Sequence, residues 1–345
     1  MGRFRARPLD GAPAHACTSA KSLCSRPLQD PCERLAPFLA AVLHDSCAPL
    51  PARMNSNIVL DWRTEFTHSQ RGEAVTTQTP GTTPAEVSDF YDVYNSLLRK
   101  YWDDNFHFGY WQDEADDSSI AVATDRFTDI MISKLPVGPG ARVLDVGCGI
   151  GKPALRLAQQ TGATVVGISI NQQQIDEGNA RAVAEGLADR VSFQQANALE
   201  LPFEDGSFDA VLAFESICHM PRLPALKEMS RVLVPGGRIA LTDLIKIEDP
   251  DGTAAAAGFQ SQALVRYSDY PALTAAAGVE IDELIDVSAH TKRTYAAMAE
   301  GISRGTDEIV EKFGPGVVNV LQAVAAPLGP AASVGCLIMA GHRAA

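Results

Sequence analysis

The sequence predicts an α/β fold: a doubly wound, mostly parallel sheet of seven strands, with an N-terminal helical segment and a helical lid. Three observations lead there. Between residues 142 and 244 short, continuously apolar runs alternate with stretches of helical periodicity, the pattern of strands covered on both faces by crossover helices. One of those runs, Arg142 to Val146, breaks into Gly147, Gly149 and Gly151, and apolar spacing resumes at Ala154, Leu155 and Leu157, so a strand gives way to a helix through bare backbone. A hydrophobic content of 46% with 21% charged residues gives a chain of 345 residues ample core.

Residues 1–74, rich in Pro, Arg, Ser and Cys and weakly periodic, are expected to stand outside the fold. They read either as a disordered extension or as sequence ahead of a natural start at Met54 or Val75. The folded unit is expected over 85–345. Val87, Tyr91, Tyr94, Leu97 and Leu98 recur at three and four residues and predict a helix, which runs into the aromatic segments Tyr101-Trp102 and His107 to Trp111. A second helix is expected from about Ser118 to Leu135, stopped by Pro136, Gly138 and Pro139. There follow strand 142–147, helix 152–161, strand 163–168, helix 171–186, strands 190–195 and 208–214, helix 222–233 and strand 237–244. Residues 249–277, bearing Phe259, Tyr267 and Tyr270, read as a lid over the carboxyl edge of the sheet. Strands near 279–287 and 334–340, with helices 290–313 and 316–326, complete the fold.

The net charge of −13 divides as +2 over residues 1–74 and −15 over the rest, and an acidic body disfavours nucleic acid or anionic membrane as a binding surface. Of the seven cysteines, Cys17, Cys24, Cys32 and Cys47 match no zinc spacing, while Cys148, Cys218 and Cys336 are scattered through apolar stretches. No metal site is expected, and the thiols suit a reducing cytoplasm. There is no apolar run of membrane-spanning length and no secretory signal core, so a cytoplasmic location is expected.

The glycine loop bears the chemistry. A dinucleotide fingerprint spaces its glycines Gly-x-Gly-x-x-Gly, whereas Gly147, Gly149 and Gly151 give Gly-x-Gly-x-Gly. With Asp145 two residues upstream, the segment resembles motif I of the class I S-adenosylmethionine-dependent methyltransferases, a Rossmann-like family. The resemblance implies S-adenosyl-L-methionine as cofactor and S-adenosyl-L-homocysteine as product, held by Asp145, Gly147, Cys148, Gly149 and Gly151. Most of that superfamily places an acid at the end of the second strand, where this chain has Ser169. The stretch Val166 to Asn171 followed by Gln174 is similar instead to a branch of small-molecule methyltransferases in which serine and glutamine meet the ribose, and Gln174 offers both donor and acceptor. Asn197-Ala198-Leu199-Glu200-Leu201-Pro202-Phe203 resembles the family's Asp-Ala-x-x-Leu-Pro-Phe, with Asn197 keeping a carbonyl acceptor for the adenine amino group. Tyr91 is expected to close over the cofactor. The runs Phe203 to Val211 and Arg231 to Arg238 are characteristic of the superfamily and bear on fold more than on chemistry.

Residues Ala213 to Pro221, at the carboxyl end of the fourth strand, are expected to face the glycine loop across the switch point of the sheet. Methyl transfer from a sulfonium is an in-line displacement, so the protein chiefly orients, excludes water and, for a hydroxyl acceptor, supplies a base. His219, with an ordinary pKa of about 6.5, is the base candidate; Glu215 can orient substrate, take a proton or stabilise positive charge. Purely structural roles are the alternatives: helix capping for His219, positioning of the methionine end for Glu215.

The resemblance points two ways. Residues 88–245 are similar to sugar and macrolide O-methyltransferases of actinomycete secondary metabolism through Gly149 to Pro153, Asn179 to Ala182 and Glu215-Ser216, though Cys218-His219-Met220 replaces their His-His-Met. Asp243 matches a position those enzymes use as an acid partner. Phe90-Tyr91-Asp92, Trp102, Asn105, His107-Phe108 and Glu215 to His219 look like sterol side-chain and tocopherol C-methyltransferases, in which an alkene attacks and aromatic faces shelter a carbocation. Tyr91, Tyr94, Trp102, Tyr110 and Trp111 are the aromatic candidates. The expected activity is methylation of a hydrophobic natural product, at carbon of an isoprenoid-bearing acceptor ahead of oxygen of a sugar or hydroxyl. The expected partner is a small-molecule acceptor, with no nucleic acid and no membrane, and self-association into a homo-oligomer is left open. A noncatalytic S-adenosylmethionine-binding scaffold and an NAD-dependent oxidoreductase are the weighed alternatives of other classes, the latter disfavoured by the glycine spacing and by Ser169.

Overall fold

A computed structural model of the chain describes residues 104, 105, 107–247, 264–313 and 334–345. The expected extension 1–74, the helix bearing Tyr91 and Tyr94, Trp102, residues 249–263 of the expected lid and the helix at 316–326 lie outside the described residues. Within them the elements run α1 (Ile120–Ser133), β1 (Arg142–Val146), α2 (Lys152–Thr161), β2 (Thr164–Ser169), α3 (Gln172–Ala184), β3 (Val191–Gln195), β4 (Phe208–Ala213), α4 (Arg222–Val232) and β5 (Leu233–Lys246). They continue with α5 (Tyr270–Ala276), β6 (Val279–Asp286), α6 (Ser288–Thr291), α7 (Arg293–Arg304), α8 (Thr306–Phe313) and β7 (Val334–Arg343).

The strands form one seven-stranded sheet in the order β3-β2-β1-β4-β5-β7-β6, with β7 antiparallel to both neighbours. From β1 the chain steps outward through β2 to β3, and from β4 outward to β5. The switch point therefore falls between β1 and β4, where an open sheet offers a crevice beyond its strand ends. Side chains on a strand alternate between faces, and β1 shows why the strands read as unbroken apolar runs: Val143 joins one core cluster with Phe127, Leu155 and Phe193, while Leu144 and Val146 join another with Leu226, Met229 and Tyr270.

Beyond shifts of one to three residues at element ends, three features differ from expectation, each for a local reason. Strand β5 begins at Leu233, opposite Phe208, and its pairing resumes with Arg238 opposite Ala210, so residues 234–236, left between the expected helix 222–233 and the expected strand 237–244, form a bulge inside the strand, with Gly236 at φ 73°. The helical periodicity over 290–313 is interrupted by Lys292 and Gly305 and yields α6, α7 and α8. Residues 264–277 pack into the body: Tyr270 is fully buried in the second core cluster, and the Tyr267 hydroxyl donates to the Leu284 carbonyl at 2.6 Å.

The packing of Phe193 explains several glycines at once. A Cβ on Gly151, Gly167 or Gly178 would come within 2.3, 2.4 and 2.9 Å of its ring, so three backbone segments of α2, β2 and α3 close on one aromatic side chain only because they lack side chains there. Among the described residues, no helix is long and apolar enough to cross a membrane, and the three cysteines are free and buried.

Candidate active site

Strand β1 hands its chain to a loop fixed at both ends. The amides of Gly147 and Cys148 both donate to the Ile168 carbonyl at 2.9 Å, which ties the loop to β2. Gly147, Gly149 and Gly151 hold φ of 77°, 53° and 87°, the left-handed region that glycine alone enters freely. Gly147 is required twice over: a Cβ there would lie 2.3 Å from the Ser216 Cβ. Ser216 in turn donates its hydroxyl to the Val146 carbonyl at 2.5 Å. The loop after β1 and the loop after β4 are thus locked together across the switch point.

A pocket opens at this junction, lined by Asp104, His107, Asp145, Phe214 and the loop from Gly147 to Pro153. Asp145, only 2% exposed, lies on its wall with Oδ2 lacking a hydrogen-bond partner among the described residues, and burial pushes its carboxyl up to about 7. A buried carboxyl left this way is costly unless a cation or donor arrives. The buried thiol of Cys148 is raised well above its ordinary range by burial and by Asp145.

At the end of β2, the Ser169 hydroxyl donates to Gln174 Oε1 at 2.8 Å, and the Asn171 amide donates to the Ser169 Oγ at 3.1 Å. Asn171 caps α3 by accepting from the Gln174 amide at 3.0 Å, which turns the Gln174 side chain inward; both Ser169 and Gln174 are buried. The two residues expected to act as a pair are therefore in contact. At the end of β3, Asn197 is exposed and spends Oδ1 on its own backbone, accepting from the Leu199 amide at 3.0 Å, with Ala198 buried beside it.

After β4 the chain turns at Glu215, the sole non-glycine residue with positive φ among those described, at 48°. Such a conformation costs about 1–3 kcal/mol and persists when its surroundings hold it. They do: the Glu215 amide donates to Thr242 Oγ1 at 2.8 Å, and its Oε1 accepts from the Phe108 amide at 2.9 Å. Burial pushes the Glu215 carboxyl up to about 8. A single helical turn, Ile217–His219, follows. Burial and the adjacent Arg222 pull the half-buried His219 down to about 4, so its imidazole is neutral at neutral pH and a weaker base than its ordinary value suggests.

Asp243 stands apart from the pocket lining. It is fully buried, and four donors fill its carboxylate: Arg222 Nε at 2.5 Å and Nη2 at 3.0 Å, the Tyr270 hydroxyl at 2.5 Å and the Leu244 amide at 2.8 Å. Through Arg222, the first residue of α4, this cluster anchors the Glu215 to His219 turn to β5 and α5.

The strap His107 to Trp111 reads from sequence as aromatic, and the structure gives it another use. His107 stacks on Phe214 at 3.9 Å, donates through Nδ1 to the Phe108 carbonyl at 2.8 Å and pairs Nε2 with Thr128 Oγ1 at 3.0 Å. Gly109 and Trp111 tie the strap to the far helices, their amides donating to Thr294 Oγ1 and the His290 carbonyl, each at 3.0 Å. Tyr110 stacks on His290 at 4.4 Å and Arg293 covers the Trp111 ring at 5.3 Å, so neither aromatic face lines the pocket. Tyr295, on α7, had no sequence signal beyond its place in an apolar periodicity. It is buried, its ring meets Phe108 edge-on at 5.1 Å, and its hydroxyl has no partner among the described residues.

A family model described as a methyltransferase domain matches residues 144–241. Methyltransferase GfsG of Streptomyces halstedii is 44% identical over 220 residues, which span 62% of this chain and 79% of that protein. The 27-O-demethylrifamycin SV methyltransferase of Amycolatopsis mediterranei is 41% identical over 225 residues, 63% of this chain and 82% of the relative. Among solved structures, the [4+2]-cyclase SpnF is 31% identical and superposes with a TM-score of 0.70, covering 78% of this chain and 99% of its own.

Proposed function

Because this chain belongs to the class I S-adenosylmethionine-dependent methyltransferases, we propose that it methylates a hydroxyl oxygen on a hydrophobic secondary metabolite. One observation supports the reading above the rest. Across the Gly147–Ser216 contact, the buried carboxyl of Asp145, whose Oδ2 has no partner among the described residues, stands opposite a turn whose strained Glu215 has a pKa matched to proton transfer near neutral pH.

The residues fit the cofactor. Asp145 Oδ2 suits an ammonium group, the backbone of Gly147 to Gly151 suits close approach, and the Ser169–Gln174 pair, which leaves the Gln174 amide nitrogen to donate, suits a ribose diol. Ala198 and Asn197 are assigned to the adenine edge, where the Asn197 amide nitrogen offers a donor beside its engaged Oδ1, and Tyr91 to closure over the site. When bound, S-adenosylmethionine supplies an electrophilic sulfonium methyl group. Glu215 accepts the proton that an acceptor hydroxyl must lose, and the neutral His219 imidazole orients that hydroxyl. Asp243 acts through Arg222, holding the turn in place.

Oxygen is favoured over carbon as the methylated atom. An alkene acceptor needs free aromatic faces for a carbocation, and two of the five candidates, Tyr110 and Trp111, turn theirs to His290 and Arg293. A relative at 41% identity is named for methylation at oxygen. The test is incubation with methyl-labelled S-adenosylmethionine and an apolar extract of the producing organism, followed by ether cleavage. Label released by cleavage supports oxygen, and label retained on the carbon skeleton overturns it. His219→Ala and Glu215→Gln should each abolish most turnover with S-adenosylhomocysteine affinity near normal.

A further inference from the structure

Tyr295, 7% exposed, places a hydroxyl where nothing among the described residues accepts from it. A phenylalanine would fill the same space without the cost of dehydrating an O–H, so the oxygen calls for a partner from outside the chain. Its surroundings say what that partner meets. The Tyr295 ring packs edge-on against Phe108, and the amide of that same Phe108 donates to Glu215 Oε1. The ionisable neighbours of the hydroxyl are Glu215, Cys218 and Cys336, and no hydrogen bond joins it to any of them. Phe108 is thus flanked by a donor without an acceptor among the described residues and a carboxyl that takes its amide through Oε1, one residue along the strap from the pocket-lining His107.

We propose that Tyr295 and Glu215 grip one oxygen of the acceptor from two sides, Tyr295 donating its O–H to that oxygen and Glu215 accepting the proton the oxygen bears. The ligand class is an alcohol or phenol on an apolar frame. An oxygen held in this way keeps one lone pair for attack, and the proton it loses goes to the Glu215 carboxylate. The proposal deepens the preceding reading and rests on it, since it requires a hydroxylic acceptor. It also makes Tyr295 a specificity residue: a site built to bond a hydroxyl discriminates against the same frame without one, because its own polar groups are then left unpaired.

The experiment uses the full-length protein saturated with S-adenosylhomocysteine at pH 8, with β-naphthol and naphthalene as probes in fluorescence titrations. The parent should bind β-naphthol roughly tenfold or more tightly than naphthalene. Tyr295→Phe, which keeps the ring and its packing on Phe108, should lose most of that preference while naphthalene and S-adenosylhomocysteine affinities stay unchanged. The ligand-free variant should be at least as stable to heat as the parent; a Tyr295 that served packing through its hydroxyl would give the reverse. A variant that retains the full preference, or a parent without one, overturns the assignment of Tyr295. Failure of the parent to bind S-adenosylhomocysteine would instead sink the methyltransferase reading itself, so the two failures are distinguishable.

Discussion

Asp145→Asn separates what this residue costs the fold from what it contributes to the site. The carboxyl rises from an ordinary 3.8 to about 7 in the folded chain because burial penalises its charge, and its Oδ2 has no partner among the described residues. A raised carboxylate pKa means that the folded state holds the proton more tightly than the unfolded one. The penalty is therefore absent below about pH 4, grows as pH rises between the two values, and is complete above about pH 7. A shift of roughly three units at ~1.4 kcal/mol each sets it near 4 kcal/mol. Asparagine fills the same volume and cannot ionise, so the ligand-free variant should match the parent within about 1 kcal/mol at pH 4.5 and exceed it by up to ~4 kcal/mol at pH 8. The ligand should reverse the order. Losing the carboxylate under the ammonium group should weaken S-adenosylhomocysteine roughly 10- to 100-fold, a charged hydrogen bond contributing about 1.5–3 kcal/mol. In the parent at pH 6.5, binding should release roughly 0.8 proton as the carboxyl ionises against the ammonium. Urea unfolding at the two pH values, with calorimetry in buffers of different ionisation enthalpy, reads all three quantities. A variant less stable than the parent at pH 8, or one that binds S-adenosylhomocysteine equally well, would refute the assignment.

Other outcomes follow from the same geometry. With Glu215 as the base, kcat/KM should rise with pH through about 8 and lose that rise in Glu215→Gln; a rate flat from pH 6 to 9 would return the base role to His219, whose pKa of about 4 leaves it deprotonated throughout. Gly151→Ala should cost roughly 2–4 kcal/mol of stability, because the new methyl meets the Phe193 ring at 2.3 Å and φ is 87°, and adding Phe193→Leu should recover part of the loss in a double-mutant cycle. Arg222→Met should destabilise by about 3–5 kcal/mol by leaving Asp243 buried without its cation, with Arg222→Met/Asp243→Asn less damaging than the single change in denaturant titrations. Ser169→Ala and Gln174→Ala should each weaken S-adenosylhomocysteine about tenfold, and the double variant should lose less than the two together, since one hydrogen bond joins them.

The strand–loop–helix at Arg142 to Thr161 was legible because glycine and apolar period are local signals, and the Ser169–Gln174 pair because its members stand only five positions apart. What the glycines are for was only half legible. Sequence reasoning assigns all three to ligand approach, whereas Gly147 yields to Ser216 and Gly151 to Phe193, contacts between residues about 70 and 40 positions apart that no periodicity encodes. Asp243 shows the same limit. Its match to a position that similar O-methyltransferases use as an acid partner implies a reacting group, and only the fold brings Arg222 and Tyr270 to fill its oxygens. The pKa of His219 was out of reach for a related reason: Arg222 is visible three residues on, but the burial that dominates the shift is a property of packing. The strap from His107 to Trp111 announced itself as aromatic, yet its principal act at the site, the Phe108 amide on Glu215, is a backbone contact that residue identity does not reveal.

The most direct measurement is transfer of label from methyl-labelled S-adenosylmethionine to an apolar hydroxyl compound by the full chain at pH 8, set beside Glu215→Gln. The parent should yield a labelled methyl ether, and the variant should bind S-adenosylhomocysteine normally but transfer almost no label. A parent that binds S-adenosylhomocysteine and labels no hydroxyl compound, or a Glu215→Gln variant that labels at the parent's rate, would contradict this.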